Sequence, residues 1–124
     1  MADGKKVILH VDDDSDCREI VSAVLEAEGY EVAQADSAEA GLRAFKETRP
    51  DFVLVDMMME EVDSGVQLAK DIRIEDREVP MYMLSGAGDE LHMNINEGDL
   101  GLSGVFQKPL DPERMVKTIK NHIG

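Results

Sequence analysis

Residues 7–14 are VILHVDDD, a short apolar run that ends in three consecutive acids. Two later runs have the same design: FVLV at residues 52–55 ends at Asp56, and MYML at residues 81–84 ends at Ser85. A short continuous apolar run is typical of a strand that is covered on both faces, as in a parallel sheet. Ligands of such a sheet bind beyond the carboxyl ends of its strands. The polar residues that end the three runs are therefore predicted to lie close together.

Segments with helical periodicity separate these runs. Their N-terminal signals are a capping box formed by Asp16 and Glu19, and N-caps at Ser37 and Asp111. Strands that alternate with helices predict βαβ units, an α/β fold and a mostly parallel sheet. Only residues 86–104 weaken the pattern, because their Gly and Asn residues favour a short or irregular helix. The apolar stripe of the first helix is predicted to comprise Cys17, Ile20, Val21, Val24 and Leu25.

Length and composition bound the class of protein. At 124 residues the chain is predicted to be one domain. Its 27 acids against 13 Lys and Arg give a formal charge of −14, which disfavours nucleic-acid binding and adsorption to anionic lipid. The single cysteine, Cys17, rules out an internal disulfide. Because the N-terminus carries no apolar stretch of signal-peptide or membrane-span length, we expect a cytoplasmic protein without direct nucleic-acid or membrane contact.

The acids at the strand ends also predict a bound cation. Asp12, Asp13 and Asp56 are expected around one small hollow, where carboxylates would repel one another unless a divalent cation held them. The run Val105-Phe106 leads to Lys108, which adds an ammonium group to the same edge of the sheet. The cluster therefore suggests a site for a hard cation such as Mg²⁺.

Over nearly its whole length the chain resembles the receiver domain of two-component response regulators. The resemblance is carried by Val11-Asp12-Asp13-Asp14, Val55-Asp56 with Met59 following, Ser85-Gly86 and Lys108-Pro109. Each of these motifs lies at a predicted strand end. The resemblance implies one CheY-like, flavodoxin-like receiver domain over residues 1–124, without an output domain. It further implies a doubly wound sheet of five parallel strands in the order 2-1-3-4-5, with five helices, or four and a loop.

A phosphorylation switch is the function that the resemblance implies. Asp56 would be the nucleophile that accepts a phosphoryl group from the phosphohistidine of a histidine kinase or phosphotransfer protein. Lys108 and Ser85 would contact phosphoryl oxygens. The implied Mg²⁺ ligands are Asp12, Asp13, Asp56 and the backbone carbonyl of Met58. Such a protein is a switch more than an enzyme, and it would alter its affinity for an unknown downstream protein, as a monomer or as a phosphorylation-linked dimer.

Several positions depart from the family pattern. Glu60-Glu61 replace the usual Pro in a loop that is one residue longer than usual, and Val105 stands where receivers usually carry an aromatic residue. Phe106, one residue further along the strand, should point to the opposite face. The positions that tune hydrolysis of the acyl phosphate are Met58 and Ala87, and neither side chain can orient water. We therefore expect slow autodephosphorylation.

Alternative interpretations are possible for single residues and for the whole chain. Asp14 is predicted to be a helix-entry residue, and His10 a hydrogen-bonded interior residue. A binding module that has lost phosphotransfer is one rival. A phosphatase with an Asp nucleophile is another, although it would need a cap domain for its substrate. The chain is also compatible with a receiver that belongs to a longer regulator.

Overall fold

The computed structural model describes residues 5–57, 59, 64–86 and 101–124. Five parallel strands form one sheet in the order β2-β1-β3-β4-β5, as predicted. The strands are β1 (Val7–Val11), β2 (Glu31–Ala35), β3 (Phe52–Asp56), β4 (Met81–Ser85) and β5 (Gly104–Gln107). The helices in the described ranges are α1 (Ser15–Ala27), α2 (Ala38–Thr48), α3 (Ser64–Glu75) and, near the C-terminus, α4 (Pro112–Ile123).

Helices cover both faces of the sheet, which explains why β1 and β3 are buried along their whole lengths. On one face, Phe45 of α2 and Leu68 of α3 pack against a cluster that includes Leu9 of β1. On the other face, Leu25 of α1 and Ile119 of α4 belong to a cluster centred on alternate strand residues. Since successive strand residues point to opposite faces, an unbroken apolar run is what a doubly covered strand requires.

The entry to α1 differs from the prediction. Asp14 is the N-cap, and its Oδ1 accepts hydrogen bonds from the amides of Asp16 and Cys17 at 2.9 and 3.3 Å. The predicted capping box of Asp16 and Glu19 is therefore wrong. Asp16 lies inside the first turn, where its charge still favours the positive end of the helix dipole. The role of Asp14 as a helix-entry residue is confirmed.

Other helix ends match the sequence signals. Ser37 and Asp111 are N-caps, and Gly29 follows α1 with a φ of +94°, a conformation that glycine adopts without strain. The predicted burial of Ile20 is wrong, because this side chain is 61% exposed. It lies at the edge of the α1 stripe, about 100° around the helix from the buried Val21.

The helix expected within residues 86–104 falls largely outside the described residues, which end at Gly86 and resume at Gly101. No helix in the described parts of the chain is long and apolar enough to cross a membrane.

Candidate functional site

Neighbouring strands bring the predicted site residues to one edge of the sheet. Val11 of β1 pairs with Val55 of β3, so Asp12 and Asp56 follow on adjacent strands. Ser85 ends β4, and its carbonyl oxygen accepts a hydrogen bond from the main-chain amide of Lys108 at 2.8 Å. The prediction that these strand ends meet is confirmed, because the order of the sheet places β1, β3, β4 and β5 side by side.

Three carboxylates converge at this edge. Asp12 is fully buried, Asp56 is 4% exposed, and Asp13 faces solvent. One carboxylate oxygen from each lies within 4.8 Å of those of the other two. Two buried acids and one exposed acid form an oxygen-only donor set that is open towards water. That arrangement fits a hard divalent cation which keeps part of its hydration shell, as Mg²⁺ does.

The two buried acids have pKa values that move apart. Burial and then the charge of Asp12 raise the pKa of Asp56 to about 7, although Lys108 opposes this shift. Burial also acts to raise the pKa of Asp12, but favourable interactions with His10 and the Asp14 amide outweigh it and hold this pKa below its usual range. Without a cation, the pair therefore shares a proton below neutral pH.

Lys108 provides the positive charge of the site. Its Nζ lies 3.2 Å from Oδ2 of Asp56 and 4.0 Å from Oδ2 of Asp12. Burial alone would lower the pKa of Lys108, but the charges of Asp56 and Asp12 outweigh burial and raise it. Lys108 is consequently an ammonium ion at every pH at which the protein would operate, and it is 32% exposed, so an incoming anion can reach it.

Backbone contacts fix the orientation of Asp12. Its Oδ1 accepts a hydrogen bond from the Asp14 amide at 2.9 Å, and Nη1 of Arg18 donates to its main-chain carbonyl at 2.6 Å. Arg18 was not among the predicted site residues. The spacing could have indicated it. Arg18 follows the acids by one helical turn, which brings its side chain back towards the end of β1.

Two further neighbours of Asp12 were not predicted. His10 lies two residues before Asp12 on the strand and on the same face, and its Nε2 is 3.5 Å from Oδ2 of Asp12. Cys17, in the first turn of α1, has its Sγ in the same group. Burial, and then the adjacent Asp12 carboxylate, raise the pKa of the Cys17 thiol to about 12. The expected interior position of His10 is confirmed, but the expected hydrogen bond is not formed among the described residues, where its Nε2 approaches the Asp12 carboxylate only to 3.5 Å.

Gly65 positions the strand end that carries Asp56. A Cβ at this residue would collide with the main-chain carbonyls of Asp56 and Met57. Its amide also donates to the Met57 carbonyl at 3.3 Å. The N-terminal turn of α3 therefore packs directly on the backbone beside the site, a close approach that only glycine permits.

The predicted split of Val105 and Phe106 between the two faces of β5 is confirmed. Val105 packs, partly buried, with the cluster under α2 and α3. Phe106 is buried on the opposite face, with its ring centroid 4.7 Å from that of Tyr82. Roles were also predicted for Met58, Ala87 and Glu60-Glu61, but these positions lie outside the described residues.

Comparison with known proteins identifies relatives over almost the whole chain. The family model "Response regulator receiver domain" matches residues 8–120. The phosphate regulon transcriptional regulatory protein PhoB of Pseudomonas aeruginosa is 30% identical over 117 residues, which are 93% of this chain and 50% of that protein. The probable transcriptional regulator ycf27 of Guillardia theta is 34% identical and is matched over 94% of this chain and 44% of its own length. The chain thus spans about half the length of these curated relatives.

Solved structures agree with this relationship. The receiver domain of NtrX from Brucella abortus superposes with a TM-score of 0.83 at 27% identity, over 94% of this chain and 97% of that one. The chemotaxis response regulator CheY4 of Vibrio cholerae gives a TM-score of 0.84 at 27% identity, over 96% and 99% of the two chains. A response regulator receiver domain protein from Clostridium thermocellum gives 0.86 at 30% identity, over 95% and 94%.

Proposed function

The chain belongs to the response regulator receiver family of two-component systems, and from this premise we propose that it is a Mg²⁺-dependent phosphorylation switch with Asp56 as the phosphoacceptor. One observation carries the proposal. Carboxylate oxygens of Asp12, Asp13 and Asp56 lie within 4.8 Å of one another, and the Lys108 ammonium is 3.2 Å from Asp56. Acids at that spacing suit a cation, and the ammonium suits a phosphoryl oxygen.

In the proposed reaction, a carboxylate oxygen of Asp56 attacks the phosphorus of a phosphohistidine in line with the bond to be broken. The new P–O bond forms as the P–N bond breaks, and the released imidazole takes up a proton. Lys108 attracts the phosphoryl oxygens electrostatically and then remains beside the acyl phosphate. Since Asp56 must be ionised to attack, its raised pKa makes a neighbouring positive charge a requirement of the site.

The residues present fit a resident Mg²⁺. Asp12, Asp13 and Asp56 would hold it, and the resemblance to receivers adds the main-chain carbonyl of Met58. When bound, the ion would neutralise the charge that builds up between the carboxylates and the transferring phosphoryl group.

Ser85 is suited to contact the phosphoryl group once it is attached. This side chain is buried, and within the described residues its Oγ donates a long hydrogen bond of 3.4 Å to the carbonyl of Gly86. A weak bond of this kind is readily exchanged for a charge-assisted one. Because the Ser85 carbonyl is bonded to the Lys108 amide, a shift of Ser85 would be transmitted to the segment between β5 and α4.

The proposed protein is not a turnover enzyme. It would catalyse its own phosphorylation and lose the phosphoryl group slowly, because the residue types of Met58 and Ala87 offer no group to orient water. Its donor would be a histidine kinase or phosphotransfer protein in the cytoplasm, and its target another protein. The charge of −14 opposes direct contact with DNA, even though matched relatives are named transcriptional regulators.

Mass spectrometry of the intact protein after incubation with acetyl phosphate and Mg²⁺ tests the proposal. The expected result is a gain of one phosphoryl group in the wild type and in Asp71→Asn, a matched change on the surface of α3. No gain is expected in Asp56→Asn or in the presence of EDTA. Absence of phosphorylation under every condition would overturn the proposal and favour a binding module that has lost phosphotransfer.

A further inference from the structure

His10 is a buried polar side chain without a hydrogen-bond partner. It is fully inaccessible to solvent, and neither Nδ1 nor Nε2 has a partner among the residues that the structure describes. A neutral imidazole carries one donor and one acceptor, and leaving both unpaired in the interior costs free energy. Unsatisfied groups of this kind are uncommon in native proteins, and a bound water or ion is the usual partner for them.

Two other groups lie close to the His10 ring. Oδ2 of Asp12 is also buried and has no hydrogen-bond partner among the described residues; it lies 3.5 Å from Nε2 of His10 and 4.0 Å from Nζ of Lys108. The ligand atoms of His10, Asp12 and Cys17 all lie within 4.8 Å of one another. Ligands that sit about 2.1 Å from a tetrahedral ion are roughly 3.4 Å apart, so the His10–Asp12 separation already matches a shared metal ion.

We propose that His10, Asp12 and Cys17 form a binding site for a thiophilic divalent cation, with Zn²⁺ as the best match. An imidazole nitrogen, a carboxylate oxygen and a thiolate are the three donor types that Zn²⁺ accepts, whereas Mg²⁺ avoids sulfur. The Cys17 thiol proton leaves to solvent when the metal–sulfur bond forms. Water completes the fourth position of a tetrahedral site.

A cavity opens beside Cys17, one member of this cluster. It has a volume of about 300 Å³, lies between α1 and the segment that leads into α4, and is lined in part by Cys17, Leu84, Lys108 and Met115. Cys17 is only half-buried. The cation therefore approaches from the Cys17 side, whereas the acidic group of Asp12, Asp13 and Asp56 opens past the exposed Asp13.

Asp12 belongs to both groups of ligands, which couples them. A cation held by His10 and Cys17 draws the carboxylate of Asp12 away from Asp13 and Asp56, and its charge repels a second dication. Zn²⁺ would then compete with Mg²⁺ and inhibit phosphorylation. The existence of the site does not depend on the proposed function, but this competition rests on it.

Titration of the metal-free protein with Co²⁺, a coloured substitute for Zn²⁺, tests the site directly. Because Cys17 is the only cysteine in the chain, any thiolate-to-cobalt charge-transfer absorption identifies it as a ligand. We expect that absorption to saturate at one equivalent, to be abolished by excess Zn²⁺ and to be absent in Cys17→Ala. A titration without this absorption would overturn the proposal, whatever the outcome of the phosphorylation experiment.

Substitution of the histidine tests the second ligand. His10→Gln should weaken Co²⁺ binding at least ~10-fold, since even supporting residues around a metal carry that effect. The matched change His122→Gln, at a histidine of α4 that contacts Tyr82 and not the proposed ligands, should leave affinity unchanged. If His10→Gln fails to fold by circular dichroism, protection of wild-type Cys17 from alkylation by one equivalent of Zn²⁺, but not by Mg²⁺, decides the question. If Cys17 is alkylated equally fast with Zn²⁺ and with Mg²⁺, the site is refuted.

Discussion

Lys108 and Asp56 face each other across the carboxyl edge of the sheet, with Nζ of the lysine 3.2 Å from Oδ2 of the aspartate. Fifty-two residues separate them along the chain, and the parallel order of β3, β4 and β5 brings them together. The contact joins the Lys108 ammonium to a buried carboxylate whose pKa is raised to about 7.

Removal of that positive charge should slow phosphorylation without weakening the metal site. In Lys108→Ala we expect the rate of phosphorylation by acetyl phosphate at saturating Mg²⁺ to fall at least ~10-fold, about 1.4 kcal/mol in the barrier. Mg²⁺ affinity should be equal or higher, because the ammonium no longer competes with the ion for Asp56. Lys117→Ala on the exposed face of α4 is the control. A proportional loss of both rate and affinity would show that Lys108 acts mainly on the metal.

The stability of the metal-free protein should fall as pH rises from about 4 to 7. The folded-state pKa of Asp56 is raised to about 7, mainly by burial, so the native state holds a proton that the unfolded state has lost. This contribution is complete below the unfolded pKa of about 3.9 and disappears as pH passes the folded value. The lowered pKa of Asp12 acts only at more acidic pH.

Asp56→Asn removes the group that titrates, so the pH dependence of its stability is compared with that of the wild type. In urea unfolding with EDTA, the variant should gain at least about 1 kcal/mol relative to the wild type between pH 5 and pH 8. Parallel pH dependence of the two proteins would contradict the assignment. The raised pKa also predicts that the wild type binds Mg²⁺ more weakly at pH 6 than at pH 8, because protons compete with the ion for Asp56. Calorimetry measures this affinity.

Autodephosphorylation should be slow and should respond to the polarity of position 58. A carboxamide in Met58→Asn can orient a water molecule towards the phosphoryl group, so we expect the phosphoprotein to decay several-fold faster than the wild type. Met58→Leu keeps an apolar side chain and should decay at the wild-type rate. Decay is followed by intact mass after acetyl phosphate is removed, and unchanged or slower loss in Met58→Asn would refute this role.

Asp14 should contribute to stability as the cap of α1. Replacing it by Ala removes the acceptor of the Asp16 and Cys17 amides and should cost about 1 kcal/mol in urea unfolding. Asp14→Asn keeps an acceptor and should restore most of that loss. Glu19→Ala should leave the free energy of unfolding nearly unchanged. If instead Glu19→Ala were strongly destabilising and Asp14→Ala were not, the capping box would be the correct interpretation.

The sequence was sufficient for the sheet and for the location of the site. Apolar runs such as residues 7–11 and 52–55 are local signals of doubly covered strands, and the carboxyl ends of parallel strands share one edge. It follows that Asp12 and Asp56, each at the end of such a run, had to lie near each other once the strand order was known.

The tertiary structure alone decided the properties of individual groups. The exposure of Ile20 depends on where α1 rests on the sheet, and the lack of a hydrogen bond from His10 to the described residues depends on what packs around β1. The pKa of Asp56 depends on its burial and on its distances from Asp12 and Lys108. Residue type and spacing specify strands and strand ends because these arise from local periodicity. Burial and charge interactions arise from neighbours distant in the chain, so only the folded arrangement determines them.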